Sequence, residues 1–76
     1  MKIKLSLEDV AEFVTIADSF NGEINIHSVH NGIVVDGKSI MSVIGLDLGS
    51  ELVVEINSSN ADEVMEFVKT MKRYEV

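Results

Sequence analysis

GKSIMSVIGL, residues 37–46, is the stretch around which the rest of the chain is organised. Ser39 stands directly before an apolar run, at the position of a helix N-cap, where its hydroxyl accepts from a free backbone N–H. Gly45 closes the run, and glycine can adopt the positive φ that ends many helices. The stretch predicts a short helix that carries more apolar surface than one buried stripe requires, from the side chains of Ile40, Met41, Val43 and Ile44.

The segment before this stretch begins with a strand pattern and continues as a helix. Residues 2–5 (KIKL) alternate polar and apolar side chains, which is typical of a half-buried strand. Residues 6–9 (SLED) resemble a capping box, and an apolar helical stripe follows at positions 10, 13, 14 and 17. Asn21-Gly22 is expected to stop this helix.

A hairpin is predicted between the first two helices. Residues 23–29 read as a strand, and Asn31-Gly32 is the strongest hairpin signal in the chain, because both residues tolerate positive φ. A two-residue turn would pair Val29 with Val34. Ile24, Ile26, Ile33 and Val35 would then share the core face of the sheet, with His27, Val29 and Val34 on the other.

The last third of the chain predicts a strand and a final helix. The apolar run at residues 52–56 suits a central strand. Asn60 then begins a helix whose stripe is Val64, Phe67, Val68 and Met71, and residues 74–76 are expected to fray. The order is β-α-β-β-α-β-α in a single domain, residues 1–76, of the α+β class, with three helices covering one face of the sheet.

Composition excludes several classes of function. The chain has 76 residues, no cysteine and a formal net charge of −7, which opposes binding to nucleic acid and to anionic membranes. Thiolate chemistry is excluded. The absence of cysteine, of a signal peptide and of a long apolar run leads us to expect a cytoplasmic protein.

Residues 38–49 resemble a regulatory segment of HPr, the small phosphocarrier of the bacterial phosphoenolpyruvate-dependent sugar phosphotransferase system. The matching residues are Lys-Ser-Ile-Met at 38–41 and Val-Ile-Gly-Leu-Asp-Leu-Gly at 43–49, and the likeness continues into the strand at 52–56. This resemblance implies an open-faced sandwich on a four-stranded antiparallel sheet, in which the predicted element order is also the family's order.

The resemblance implies a regulatory phosphorylation site at Ser39. In the family the matching serine is modified by a dedicated kinase, and the apolar residues after it contact partners, which here are Ile40, Met41 and Ile44. The implied partners are an HPr-kinase-like enzyme or other phosphotransferase-system and regulatory proteins. The alternative that Ser39 is only a helix cap stays open, and both roles can hold together.

The family's phosphohistidine site is missing from this sequence. HPr proteins carry phosphate on a histidine in a Gly-x-His-x-Arg-Pro setting just before the first helix. Here Ser6-Leu7-Glu8-Asp9 occupies that region, with no histidine, arginine or proline. Two carboxylates would repel a phosphoryl group, so we expect the phosphohistidine relay to be absent.

The two histidines form no evident replacement site. His27 and His30 lie three residues apart on a predicted strand, so they should point to opposite faces. No cysteine or carboxylate cluster completes a metal site, and we expect neither a metal nor a cofactor.

Three functions follow from these observations. The first is a regulatory, partner-binding HPr-like protein that is not an enzyme and at most accepts a phosphoryl group. The second is a phosphocarrier that uses His27 or His30. The third is a structural or interaction module without phosphate chemistry, for which Val29 and Val34 could form a self-association patch. The sequence leaves the oligomeric state open.

Overall fold

The computed structural model describes residues 1–76 and confirms the predicted order of elements. The four strands are β1 (Lys2–Ile3), β2 (Glu23–Ser28), β3 (Val34–Asp36) and β4 (Leu52–Asn57). The three α-helices are α1 (Val10–Asp18), α2 (Ile40–Ile44) and α3 (Ala61–Met71). Short 3-10 turns, Leu7–Asp9 and Lys72–Tyr74, precede α1 and follow α3. No helix combines the length and the apolar composition that a membrane span requires.

The strands form one antiparallel sheet in the order β1-β4-β2-β3. β4 lies between β1 and β2, which confirms the central place that its apolar run predicted. Opposite Cα partners include Ile24 with Ile56 and Ile26 with Val54. The fold is the predicted open-faced sandwich on a four-stranded antiparallel sheet.

The hydrophobic core lies between the sheet and the helices. Fifteen buried apolar residues form one cluster, to which α1 contributes Val10, Phe13 and Ala17. The ring of Phe13 meets that of Tyr74 edge to face, with centroids 5.6 Å apart. Phe20 and Phe67 make a second such pair at 5.6 Å, which ties the end of α1 to α3.

The hairpin register differs from the predicted one by two residues. His27, not Val29, is the Cα partner of Val34, and residues 29–33 form a five-residue connection. Within this connection only Gly32 has positive φ, at 72°, whereas the predicted two-residue Asn-Gly turn needs positive φ at both central residues. Because the shift is even, the predicted faces of β2 and β3 are retained. Ile33 falls in the connection and is 47% exposed, so it was wrongly assigned to the core.

Two further expectations are corrected, one about the C-terminus of the chain and one about the end of α2. Residues 74–76 do not fray: Tyr74 is buried, Lys4 N donates to its carbonyl at 3.0 Å, and Val76 N donates to the Lys2 carbonyl at 3.2 Å. Gly45 does end α2, but with φ at −73°, and α2 closes in the right-handed helical region. The C-terminus is held because it adds a short bridge to the edge of β1.

Glu63 on α3 fixes the turn that follows α1. Its carboxylate accepts the backbone N–H groups of Asn21, at 2.9 Å, and Gly22, at 3.1 Å. A Cβ at position 22 would lie 2.9 Å from the Asn57 carbonyl oxygen, so the close approach requires glycine. Hydrogen bonding from the Ser58 side chain and from these two N–H groups lowers the pKa of Glu63 below its ordinary value.

The lowered pKa of Glu63 predicts that the stability of the fold depends on pH. Because the pKa of Glu63 is lower in the folded than in the unfolded chain, the stabilisation is present above pH 4.5 and is lost as the pH falls below it. Urea midpoints at about pH 7 and about pH 3 should therefore differ more for the native chain than for Glu63→Gln. Glu66→Gln, at an exposed carboxylate of the same helix, is the control and should keep the native pH dependence. Equal pH slopes for the native chain and Glu63→Gln would contradict this role.

Candidate functional site

Ser39 lies at the N-cap of α2, where the sequence predicted it. Its backbone is extended, with φ −103° and ψ 108°, and its hydroxyl oxygen accepts the Ser42 N–H at a long 3.4 Å. The residue is partly exposed. The preceding cation is already engaged, since the Lys38 ammonium donates to the Phe20 carbonyl at 2.5 Å. The Ser39 hydroxyl is therefore a weakly held, accessible group at the start of the helix.

Three apolar side chains of α2 face solvent beside Ser39. Met41 is 79% exposed, Ile40 is 43% exposed and Ile44 is 46% exposed, and we call these three residues the α2 patch. Val43 is fully buried and anchors the helix to the core. A five-residue helix with one buried side chain and three exposed apolar ones has the composition of an interaction surface.

The segment before α1 is closed and acidic. Asp9 accepts the backbone N–H of Ser6 at 2.9 Å, and Asp9 N donates to the Ser6 carbonyl at 3.1 Å. Glu8 and Asp9 are the acidic residues of this turn. The two carboxylates thus place negative charge at the N-terminal end of α1, where an anion would otherwise be attracted.

The two histidines are not brought together as a site. His27 on β2 lies 2.7 Å from a Glu55 oxygen on β4, and His30 is exposed in the connection before β3. No group of three or more histidine and acidic side chains is close enough to share a metal ion. Glu55 was missed as the partner of His27, since a cross-strand pair depends on register.

Met65 and Val68 on α3 are two exposed apolar residues that sequence reasoning passed over or misplaced. Met65 is 70% exposed, and Val68, which the helical stripe assigned to the core, is 39% exposed. Phe67 and Met71 do face the core, as predicted. A signal existed, because Val68 lies at the margin of the stripe and Met65, three residues before it on the same side of the helix, lies just outside the stripe.

A protein-family comparison gives a match over nearly the whole chain. Residues 4–74 match the family described as the PTS HPr component phosphorylation site. No curated protein sequence matches the chain.

Two solved structures are similar over most of their length. The phosphocarrier protein HPr from Bacillus anthracis shares 28% identity, with a TM-score of 0.70 and coverage of 92% of this chain and 90% of that one. Crh, the catabolite repression containing protein of Bacillus subtilis, shares 26% identity, with a TM-score of 0.68 and coverage of 100% and 87%. The Crh crystal structure is described as an intertwined dimer formed by domain swapping.

Proposed function

Because this chain belongs to the HPr family, the phosphocarrier family of the bacterial phosphotransferase system, we propose that it is a regulatory member of that family. It binds protein partners through the α2 patch, and phosphorylation of Ser39 switches that binding. The observation that carries the proposal is the partly exposed Ser39, with its weakly held hydroxyl, next to three solvent-facing apolar side chains.

The environment of Ser39 favours modification. A kinase must reach the hydroxyl and pull it from any internal partner, and here that partner is a single N–H at 3.4 Å. A phosphate adds a charge of about −1.5 to −2 at the edge of the α2 patch. Desolvating that charge against an apolar partner surface is unfavourable, whereas a partner with an arginine at this point would gain a charge-assisted hydrogen bond. One modification thus changes which partners bind.

The α2 patch suits a range of partners. Met41, its most exposed member, has an unbranched and polarisable side chain that adapts to different surfaces. Ile40 and Ile44 lie four residues apart, on the same side of the helix, next to Met41. Crh, a catabolite repression protein, is among the similar structures, and the lack of a histidine before α1 is what favours a regulatory role over a carrier role.

We expect HPr kinase and ATP to place one phosphate on Ser39. Intact mass spectrometry should show a single addition, and peptide mapping should locate it. Ser39→Ala should lose the addition completely, because no other hydroxyl has the same position before the helix. Ser42→Ala, on the same helix, is the matched control and should be phosphorylated like the native chain.

The outcome that would contradict the proposal is either no phosphate at all or a phosphate that survives in Ser39→Ala. The variant should remain folded, since loss of an N-cap hydroxyl costs about 0.5–2 kcal/mol. Circular dichroism of both alanine variants checks this. Partner binding is read separately with Met41→Ser, for which Met65→Ser on α3 provides a control of similar exposure.

A further inference from the structure

α3 presents a second apolar surface that no other element covers. The groove along its outer side is lined only by residues of α3 and of the 3-10 turn that follows it. Met65 is 70% exposed, Val68 is 39% exposed and Val64 is partly buried at the edge of the groove. We call Val64, Met65 and Val68 the α3 face. It belongs to a different helix from the α2 patch.

Charges are ordered along this groove in a way that fits a particular partner. Asp62 and Glu66 line its N-terminal half, and Lys69 and Lys72 line its C-terminal half. A second copy in parallel orientation would place acid against acid. A second copy in antiparallel orientation places Asp62 and Glu66 opposite Lys69 and Lys72 of the other helix, twice by symmetry.

The overall charge also singles out this helix. The chain carries a formal net charge of −7, which keeps most pairs of surfaces apart. The segment 61–74 holds three acidic and three basic residues and is therefore neutral. Half of the six lysines and arginines lie in it. Two copies meet least repulsion when they approach through this segment.

We propose that the α3 face binds the α3 face of a second copy of this chain, in an antiparallel and two-fold symmetric arrangement. Met65 and Val68 form the apolar centre of the contact, and the four charged residues form its rim. The helix has eleven residues and is about 16 Å long, so the contact belongs to the small, weak and reversible size class. This association exchanges no strand and differs from domain swapping.

The test is sedimentation equilibrium of the 76-residue chain up to a concentration of about 1 mM, the range in which small interfaces associate. We expect the native chain to move reversibly from monomer towards dimer. Met65→Glu should lower the association constant by about tenfold or more, because it buries an unpaired charge. Met41→Glu, at a methionine of the α2 patch with similar exposure, should leave the constant unchanged.

A charge exchange tests the antiparallel orientation. The variants Asp62→Lys/Glu66→Lys and Lys69→Glu/Lys72→Glu should each associate less than the native chain, since each rim then carries one sign of charge. Mixed in equal amounts they should form a heterodimer more readily than either forms a homodimer. Circular dichroism verifies their helix content, and the Met65/Met41 pair decides the question if a double variant fails to fold.

Three results would overturn the inference. One is a strict monomer over the whole concentration range. Another is a dimer that Met65→Glu leaves intact, which would place the interface elsewhere, such as the exposed Val29 and Val34 of the hairpin. The third is a mixture of the charge variants that associates no better than its components.

Discussion

Phe13→Ala is expected to lower the free energy of unfolding by about 3–5 kcal/mol, the range for truncating a buried aromatic side chain. Phe13 is fully buried on α1 and lies edge to face with Tyr74. A 76-residue chain at about 0.05–0.15 kcal/mol per residue has a total stability of about 4–11 kcal/mol. The substitution therefore removes a large part of the stability.

The effect should be large because the Phe13 site has little freedom to collapse. Its partner Tyr74 is held by a hydrogen bond of 2.6 Å from the phenol to Glu12. Burial is the main cause that raises the pKa of Tyr74, and this hydrogen bond raises it further. The carbonyl of Tyr74 accepts the Lys4 N–H. Because Tyr74 is fixed through both its phenol and its main chain, it cannot move into the space that Phe13 leaves. The resulting cavity adds to the transfer cost of the lost side chain.

Urea unfolding measures this prediction, with the midpoint as the readout and an unchanged slope as evidence of the same unfolding transition. Leu7→Ala is the control, since Leu7 is 67% exposed, and it should change stability by no more than about 0.5 kcal/mol. A loss below about 1 kcal/mol for Phe13→Ala would show that the ring does not organise this core.

Sequence pattern predicted the elements and the fold, because each element carries a local signal. The stripes of α1 and α3, the cap at Ser39 and the apolar run of β4 each fix a segment without knowledge of the others. The position of Ser39 before α2 followed in the same way. The exposure of the α2 patch could be predicted as well, because four of the five residues of α2 are apolar and one buried stripe does not need them all.

What the sequence did not predict depends on contacts between distant segments. The hairpin register follows from the conformation of residues 29–33 and from pairing with β4, and Asn-Gly alone does not determine it. The ordered C-terminus depends on an edge of β1 that only the assembled sheet offers. The binding of Asn21 and Gly22 by Glu63 joins residues 41 or more positions apart, so no local pattern could reveal it.

The second large effect concerns phosphoenolpyruvate. Incubated with Enzyme I and phosphoenolpyruvate, the chain is expected to acquire no phosphohistidine, whereas HPr from Bacillus anthracis in the same reaction should be labelled. Residues 1–26 contain no histidine at all. The measurement is the amount of acid-labile phosphate on the chain, read by mass spectrometry at neutral pH. Label on any residue of this chain would contradict the prediction.

Neither remaining histidine is placed to substitute. His27 is on the sheet, with Glu55 2.7 Å from its ring nitrogen, and a phosphoryl group there would displace or confront that carboxylate. His30 lies in the connection between β2 and β3, and no α-helix begins in that connection to stabilise a phosphoryl group with its N–H groups. His27→Gln and His30→Gln are thus expected to behave like the native chain in this assay.

A histidine restored before α1 separates two reasons for the loss, the missing imidazole and the wrong charge. Ser6→His alone should remain at background, because the Asp9 carboxylate occupies the Ser6 N–H at 2.9 Å and Glu8 adds a second negative charge. Ser6→His/Glu8→Gln/Asp9→Asn removes both charges and should be labelled above that background. If the single variant is labelled as fast as the Bacillus anthracis HPr, the carboxylates are irrelevant and only the imidazole was lost. If it stays silent while the neutralised variant reacts, the negative charge of Glu8 and Asp9 is what closes this segment to phosphate.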